Sequence, residues 1–377
     1  MMTFHQLATQ YVAGIDLHQG PLQVCIMDRL GNIIFEETCR RKKQRHLAQW
    51  LGPYGRDVTV GVEATYNWYW VADWCLEHEL PCVLGHPYYL RKKALGKNKS
   101  DTVDARQMAT FLRQNEFPVA FRYPAEYRAT RDLARRRLVL SALHAGLLQH
   151  QSCLHDQYLL EERQEDLLNG PRRAQYKDVW QSLDTDDRLA KFLAEEQRNL
   201  VNHLAAQAQQ HFPTWFALLI ATRGIGNKLA ITLLYEIGTL ARFVGVQQFS
   251  SYCRVVTPQC ESSGKRVGYG NSKNGNRYLC WAFHELVETS RRYVPAIQAV
   301  FKTLKRQRGL GTAHRVLAHR WAVAIYFMLK HEELFDLQRF LQPFRGIGCG
   351  NEPSIATADA PGARESDALI GRSADPA

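Results

Sequence analysis

Cysteine pairs, export signals and long apolar runs are all missing from this sequence. Its nine cysteines are scattered and none forms a Cys-x-x-Cys pair, so neither a zinc module nor a disulfide framework is expected. The first residues lack the basic-then-apolar pattern of an export signal, and no apolar run approaches the roughly 18 residues of a membrane span. We therefore expect reduced thiols in a cytoplasmic protein that does not contact a membrane.

Acidic residues are in the minority. Lys and Arg number 48 against 37 Asp and Glu, which gives a formal net charge of +11, and the C-terminal tail is itself net acidic. The basic excess is therefore concentrated in the rest of the chain, where it would attract polyanions such as nucleic acid. A solvated basic surface without any partner has the same composition, so charge alone leaves the partner open.

The first part of the chain predicts an α/β domain over residues 8–122. Segments 11–17, 22–28 and 32–38 alternate or run apolar, with turn residues between the last two, and predict three antiparallel strands. Helices and strands then alternate through helix 44–51, a strand ending at residue 63, helix 69–76 and strand 82–84. This order is that of ribonuclease-H-like folds.

Four acidic residues occupy positions where a buried structural role is hard to defend. Asp16 interrupts the apolar run of the first strand, Glu63 ends the fourth, and Asp101 and Asp104 open a predicted helix. The i,i+3 spacing puts the last two on one helix face, and Mg²⁺ prefers such oxygen ligands in phosphoryl-transfer sites. The alternative is that each is a solvent-facing carboxylate, or one favoured by the helix dipole.

Aromatic residues follow the strand that ends at Glu63. Tyr66, Trp68 and Trp70 either stack on bases or pack on the sheet as one helix face. The second interpretation is the simpler one, because apolar helix faces usually cover a sheet.

Residues 123–211 predict long helices, because proline almost disappears and Leu, Arg, Gln and Glu dominate. Leu133, Leu140, Leu147 and Leu154 are spaced seven apart, but the complementary heptad positions are partly polar. The segment at 169–171 is the expected break. An intramolecular helical hairpin and a dimerisation arm of coiled-coil type both remain open.

A mainly helical domain is predicted over residues 212–335. Within it, Gly224, Gly226 and Lys228 resemble the hairpin of a helix-hairpin-helix element, whose glycines let backbone amides approach a phosphate. A plain helix-connecting turn gives the same pattern. Residues 348–377 are rich in small residues with almost no aromatics, and we expect this tail to be disordered.

A second constellation lies between two apolar segments at residues 261–277. Glycines make its backbone approachable, and the cations Lys265, Arg266, Lys273 and Arg277 can neutralise phosphate. The serines of this predicted loop either donate hydrogen bonds to phosphate or act as a nucleophile. A nucleophilic serine needs activation by a base or a metal, and no activating partner can be identified from the sequence.

These motifs together resemble the DEDD transposases of bridge-RNA-guided insertion sequences. The resemblance rests on Gly14-Ile15-Asp16-Leu17-His18, Val62-Glu63-Ala64-Thr65-Tyr66-Asn67-Trp68-Tyr69-Trp70, Lys99-Ser100-Asp101-Thr102-Val103-Asp104-Ala105-Arg106, Gly224-Ile225-Gly226, Ser262-Ser263-Gly264-Lys265 and Lys273-Asn274-Gly275-Asn276-Arg277-Tyr278-Leu279. It covers roughly residues 11 to 330 in the family's order. One departure is Arg254-Val255-Val256-Thr257-Pro258, where the family usually has Gly-Leu-x-Pro.

The resemblance implies a RuvC-like catalytic domain, an oligomerising coiled-coil linker and a C-terminal domain that supplies a serine nucleophile. It implies that Asp16, Glu63, Asp101 and Asp104 bind Mg²⁺ or Mn²⁺, and that Ser263 attacks DNA, with Ser262 as the competing nucleophile. Donor and target DNA, a structured guide RNA and a dimer or tetramer at the bacterial nucleoid are the implied partners and setting.

Two other functions remain open at this stage. A RuvC-type structure-specific endonuclease would use the same carboxylates with water as the nucleophile. A decayed transposase would bind nucleic acid without catalysis.

Overall fold

A computed structural model of the chain describes residues 4–40, 44–93, 101–158, 160, 176–256, 259–262, 265–269 and 274–345. For residues 101, 102, 259–262 and 265–269 the backbone alone is described. The expected break at 169–171 and the expected disorder from residue 348 lie outside these residues.

A five-stranded mixed sheet forms the first part of the chain. Its strands are β1 (Tyr11–Leu17), β2 (Leu22–Asp28), β3 (Ile33–Cys39), β4 (Val58–Glu63) and β5 (Cys82–Gly85). The spatial order is β3-β2-β1-β4-β5, with antiparallel pairing among the first three strands and parallel pairing of β1 with β4 and of β4 with β5. The predicted ribonuclease-H-like mixed sheet is confirmed.

The turn between β2 and β3 is built as the sequence predicts. The Asp28 carboxylate accepts hydrogen bonds from the backbone N–H groups of Gly31 and Asn32, at 2.8 and 2.9 Å. Gly31 has a φ of 96°, which glycine adopts at little cost.

Helices cover both faces of the sheet. They are α1 (Gln44–Leu51), α2 (Tyr69–Glu77), α3 (Pro87–Lys93) and α4 (Asp101–Arg113), with a short 3-10 helix at Gly52–Asp57. Ile15 and Val60 pack with Leu47 of α1 and Val71 of α2 in one core. Residues on the opposite face of β1 and β2 pack against α4 in a second, smaller core.

The helix α4 lies directly on the backbone of two strands. A Cβ atom added to Gly14 of β1 would overlap the carbonyl oxygen of Ala105 and lie 2.6 Å from the Ala109 nitrogen. A Cβ added to Gly61 of β4 would lie 2.6 Å from Leu112 Cδ1. Glycine at both positions therefore sets how closely α4 approaches the sheet.

Two long helices follow the sheet domain and pack against each other. They are α5 (Ala125–Tyr158) and α6 (Lys177–His211). Ser141 Oγ donates a hydrogen bond to Gln197 Oε1 at 2.8 Å, and His150 Nδ1 lies 2.5 Å from Asp186 Oδ2. The heptad leucines of α5 are half-buried. The interpretation as an intramolecular hairpin is supported, and the dimerisation arm stays a prediction.

The rest of the described chain is mainly helical, as predicted. Its helices are α7 (Pro213–Ala221), α8 (Asn227–Ile237), α9 (Val246–Tyr252), α10 (Arg277–Tyr293), α11 (Pro295–Arg308), α12 (Leu310–His331) and α13 (Leu337–Leu341), with a 3-10 turn at Gln342–Phe344. Every residue from 229 to 237 of α8 is buried, so α8 is the centre of this core. Across the described residues, no helix combines the length and apolarity that a membrane span requires.

Local sequence sets several of these helix ends. Pro213 and Pro295 stand at the first position of their helices, where the missing N–H is not needed. Asn276 caps α10, because its side chain accepts hydrogen bonds from the N–H groups of Tyr278 and Leu279. Gly238, with a φ of 67°, ends α8.

The predicted loop between the two apolar segments contains a β-hairpin. Strands β6 (Gln259–Ser262) and β7 (Lys265–Tyr269) pair antiparallel, with Ser262 opposite Lys265. The sequence prediction of a loop was therefore wrong for these residues, because the glycines and serines obscured the alternation of the short strands.

Gly14→Ala tests the close approach of α4. The new methyl group would meet backbone atoms, which cannot rotate away, so we expect the free energy of unfolding to fall by about 1 to 3 kcal/mol. Urea unfolding measures the change. Gly20→Ala is the control, because its added Cβ would lie 3.6 Å from the Arg40 carbonyl oxygen, an ordinary contact. Equal midpoints for the two variants would contradict the packing described.

Candidate active site

Asp16 and Glu63 lie at the same end and on the same face of the sheet. Gly14 and Gly61 are partners in the parallel pairing of β1 with β4, and both face α4. Side chains alternate between faces along a strand. Asp16 and Glu63, each two residues further along, therefore also face α4. Asp16 is buried and Glu63 half-buried.

The start of α4 adds carboxylates at this end. Asp104 and Glu63 line one small pocket of about 80 Å³, together with Arg91 and Gln107. Asp101 is the first residue of α4, one turn before Asp104, and its side chain is not described. The structure thus brings Asp16, Glu63 and Asp104 to one end of one face.

His18 is a neighbour of Asp16 that the sequence analysis quoted without assigning it a role. Its Nε2 lies 2.8 Å from Asp16 Oδ2, and its backbone carbonyl accepts a hydrogen bond from Asn67 Nδ2 at 3.1 Å. The i,i+2 spacing after Asp16 could have indicated this contact, since alternate residues share a face. The pair fixes how the Asp16 carboxylate is oriented.

The chemistry of these side chains fits a divalent cation. Carboxylate oxygens are the donors that Mg²⁺ and Mn²⁺ prefer. Among side chains that the structure describes, no three His, Cys, Asp or Glu residues lie close enough together to form a metal site. The four-residue ligand set, which includes Asp101, stays a prediction.

The serine constellation lies at the β6–β7 hairpin. Ser262 is the last residue of β6, and Lys265 and Arg266 begin β7. Ser263 and Lys273 lie outside the described residues. Arg277 is exposed at the start of α10, where its guanidinium donates a hydrogen bond to Tyr278 Oη at 2.9 Å.

Among the described residues, a hydrogen bond joins the segment after the serine hairpin to a helix beside the carboxylates. Asn274 Nδ2, which follows the β6–β7 hairpin in sequence, donates to Tyr89 Oη of α3 at 3.1 Å. Pro87, Leu90 and Arg91 of the same helix line the pocket that Glu63 and Asp104 share. The segment beside the serine hairpin is thus attached to the helix beside the carboxylates.

The predicted helix-hairpin-helix element has the expected helices, α7 and α8. Gly224 has a φ of 97°, and a Cβ added to it would lie 2.9 Å from Ser290 Cα. Gly226 is the N-cap of α8, and Lys228 is exposed. The turn therefore packs tightly on α10 while the start of α8 faces outward. Phosphate binding by these residues stays a prediction.

The aromatic residues after β4 divide between the two interpretations. Trp68 is buried in the core of the sheet domain and Trp70 is partly buried against it, whereas Tyr66 is 72% exposed. Packing accounts for Trp68 and Trp70. Nothing in their surroundings favours base stacking by these two residues.

Both constellations lie within segments that match known family models. The DEDD transposase model of the IS110 type matches residues 13–156, and the transposase model of the IS116/IS110/IS902 family matches residues 217–302. The two matches together cover more than half of the chain. The chain belongs to the IS110 family of DEDD transposases. It is an enzyme that acts on DNA. No curated protein matches it at a significant level.

The transposase holds its two matched regions together through a buried carboxylate that sequence reasoning missed. Glu236 of α8 is 3% exposed. Its oxygens accept hydrogen bonds from Arg131 at 2.8 Å, Arg135 at 2.6 Å and Asn276 Nδ2 at 2.6 Å. A single acid in an apolar helix was the available signal, since a buried acid needs partners.

These partners keep Glu236 charged. Burial by itself would raise the pKa of Glu236, but the hydrogen bonds and positive charges of Arg135 and Arg131 outweigh it and lower the pKa below its ordinary value. The anion therefore links α5, α8 and, through Asn276, the start of α10.

The first turns of α5 also contact the sheet domain. Buried Arg128 donates a hydrogen bond from Nη1 to Asp73 Oδ1 at 2.7 Å and stacks over the Trp68 ring. Just before α5, Tyr123 Oη donates to the Tyr235 carbonyl of α8 at 2.6 Å. This one segment of the transposase thus contacts both the carboxylate domain and the serine-bearing domain.

Glu236→Gln tests the buried network. It leaves two arginines without their counter-charge, so we expect the free energy of unfolding at neutral pH to fall by about 3 to 5 kcal/mol. The pKa of Glu236 is lower in the folded protein than the value of about 4.3 expected in the unfolded chain. The charged carboxylate therefore stabilises the fold at pH values above about 4.3. This stabilisation is lost as the pH falls through the folded-state pKa. The difference in the free energy of unfolding between the wild type and Glu236→Gln should therefore shrink as the pH falls below about 4.

The control for this variant is Glu79→Gln. Glu79 forms an exposed ion pair with Arg56, with side-chain exposures of 66% and 72%, and such pairs contribute at most about 1 kcal/mol. Urea unfolding of both variants over a pH series measures the difference. A loss for Glu236→Gln that is no larger than the control, or that does not change with pH, would contradict the assigned role.

Proposed function

We propose that this transposase cuts and rejoins DNA through a phosphoserine intermediate. The reaction would take place in a composite site that combines the carboxylates of the sheet domain with Ser263 or Ser262, which lie at or just after the end of β6 in sequence. The observation that carries the proposal is the hydrogen bond between Asn274 and Tyr89. It supports a site that draws on both family regions, because it joins the segment after the serine hairpin to the helix beside the carboxylate pocket.

Asp16, Glu63, Asp101 and Asp104 are the residues that would hold Mg²⁺ or Mn²⁺. Convergence of three of them on one end of the sheet supports this set. A bound metal supplies positive charge that polarises the scissile phosphate. His18 would hold the Asp16 carboxylate in one orientation.

Ser263 is the proposed nucleophile and Ser262 the alternative. The serine Oγ forms a bond to phosphorus while the bond between phosphorus and the leaving sugar oxygen breaks. The serine proton passes to water, and the leaving oxygen gains a proton. Rejoining is the reverse, with the sugar hydroxyl of the new strand as the attacking group. One phosphoester bond replaces another at each step, so no co-reactant is needed.

The cations near the serine would bind the DNA backbone. Lys265, Arg266, Lys273 and Arg277 lie within or just after the hairpin in sequence, and cationic side chains position phosphates without reading the base sequence. These contacts would hold the scissile phosphate beside the serine while the strands are exchanged.

RNA guidance and oligomerisation complete the proposal. A structured guide RNA would pair with donor and target DNA, and the protein would act as a dimer or tetramer at the bacterial nucleoid in the cytoplasm. Membership of the family and the net charge of +11 support a nucleic-acid assembly of this kind.

Trapping of a covalent adduct tests the nucleophile. Wild-type protein with end-labelled donor DNA, Mg²⁺ and its RNA should give a protein–DNA adduct on a denaturing gel. Ser263→Ala should abolish the adduct, whereas the matched neighbour Ser262→Ala should keep it. EDTA or Asp16→Ala should abolish both cleavage and adduct, because the metal site would be lost.

Each other outcome identifies a different function. Cleavage without any adduct would show a RuvC-type nuclease that uses water. Loss of the adduct in Ser262→Ala alone would move the nucleophile to that residue. No cleavage by wild-type protein with Mg²⁺ and RNA would leave a nucleic-acid-binding protein without catalysis.

RNA guidance is tested by purifying the protein from cells that carry the whole mobile element. We expect one discrete non-coding RNA of the element to copurify, and cleavage of donor DNA to stop after ribonuclease treatment. An element whose non-coding sequence is deleted is the control. Recovery of cellular RNA in proportion to its abundance, or cleavage unaffected by ribonuclease, would contradict the proposal.

A further inference from the structure

A large groove lies in the helical part of the transposase, apart from the carboxylate pocket. Its walls are formed by helices α5, α6 and α10 and by the turn that leads into α8. Its volume is about 1320 Å³, above the roughly 300 to 1,000 Å³ of clefts that hold small molecules. The groove shares no lining residue with the pocket of Glu63 and Asp104.

The charge of the groove favours a polyanion. Arg137, Arg223, Lys228 and Arg292 line it, against the carboxylate of Glu285. Arg223, Lys228 and Arg292 are exposed. Cations that line a concave surface raise the local concentration of anionic ligands.

Arg137 is a buried cation on the wall of this groove. Its side chain is 2% exposed. Its Nη2 donates to Thr232 Oγ1 at 3.1 Å, but its Nε has no hydrogen-bond partner within the described residues. Burial lowers the pKa of Arg137. Among the residues described, no carboxylate forms an ion pair with Arg137, so an anion in the groove would supply the missing counter-charge.

The first turn of α8 faces the same space. Gly226, Asn227 and Lys228 line the groove, and in the described structure no side chain caps this helix end. Its backbone N–H groups are therefore oriented as in phosphate sites at helix N-termini. The close packing of Gly224 on Ser290 holds this turn in place.

Two exposed aromatic side chains favour a single strand over a duplex as the ligand of this groove. Trp281 is 39% exposed and Tyr293 63% exposed, and both line the groove from α10. Large exposed aromatics beside cations are typical of proteins that stack unpaired bases. In a duplex the base faces are already stacked on each other, so these rings would have no surface to contact.

We propose that this groove binds a single-stranded segment of nucleic acid. Arg223, Lys228 and Arg292 receive the backbone phosphates, buried Arg137 adds positive charge to the wall behind them, and Trp281 and Tyr293 stack on bases. This inference rests on the proposed function in one respect: strand exchange or RNA guidance is what supplies an unpaired strand. A guide RNA and a displaced DNA strand both present backbone phosphates and unpaired bases.

Binding measured without catalysis tests the groove. Full-length protein in EDTA is titrated against labelled single-stranded DNA, single-stranded RNA and duplex DNA of equal length, with fluorescence anisotropy as the readout. Trp281→Ala and Tyr293→Ala should each weaken single-strand binding about fivefold or more and leave duplex binding unchanged. Arg223→Glu and Arg292→Glu should weaken it and reduce the salt dependence by about 0.7 per lost phosphate contact.

Matched exposed residues outside the groove are the controls. Phe192→Ala removes an exposed aromatic of α6 that is 59% exposed, and Arg306→Glu reverses an exposed cation of α11. Neither should change binding. Arg137→Met should weaken single-strand binding without lowering the unfolding temperature, whereas a purely structural arginine would lower it.

The outcomes separate this inference from the proposed function. The inference is overturned if the groove variants bind single strands as tightly as the control variants do. It is also overturned if they lose duplex binding as strongly as single-strand binding. Both results count even where adduct formation is intact. Preference for RNA would assign the groove to the guide, and preference for DNA to a displaced strand. Asp16→Ala and Ser263→Ala should keep wild-type binding in this groove even if the proposed chemistry fails.

Discussion

Glu236 is a carboxylate buried within a helical core, where a charge is tolerated only when it is paired and hydrogen-bonded. Arg131 and Arg135 of α5 supply the opposite charge, and Asn276 donates the remaining hydrogen bond. Asn276 also caps α10. The relative positions of α5, α8 and α10 therefore depend on one anion, because moving any of them would leave a charge or a helix end unpaired.

The other parts of the site depend on this arrangement. α5 contacts the sheet domain through Arg128 and Asp73, and the segment just before Asn276 contacts α3 through Asn274 and Tyr89. The groove that we assign to a single strand is formed by α5, α8 and α10, together with α6. Its shape therefore follows from the same buried network. The pocket of Glu63 and Asp104 and the groove are held in one framework although they share no lining residue.

Local pattern predicted much of the fold. The first three strands follow from alternation and turn residues, and the Asp28 carboxylate closes the predicted turn between β2 and β3. The β6–β7 hairpin was missed because four- and five-residue strands rich in glycine and charge give little alternation. The leucine spacing predicted long helices, but only the contacts of Ser141 and His150 show that α5 and α6 pack on each other.

The sequence by itself determined most of the helices and strands, the choice of four acidic residues and the family resemblance, because these depend on neighbours along the chain. Only the tertiary structure decided that Glu236 pairs with arginines about a hundred residues earlier and that Arg137 lies buried beside a groove. Whether a charge is buried depends on how distant helices pack, and no local pattern records that packing. Buried charged side chains such as Glu236 need partners because they have lost contact with water, and they lose it only when the chain folds.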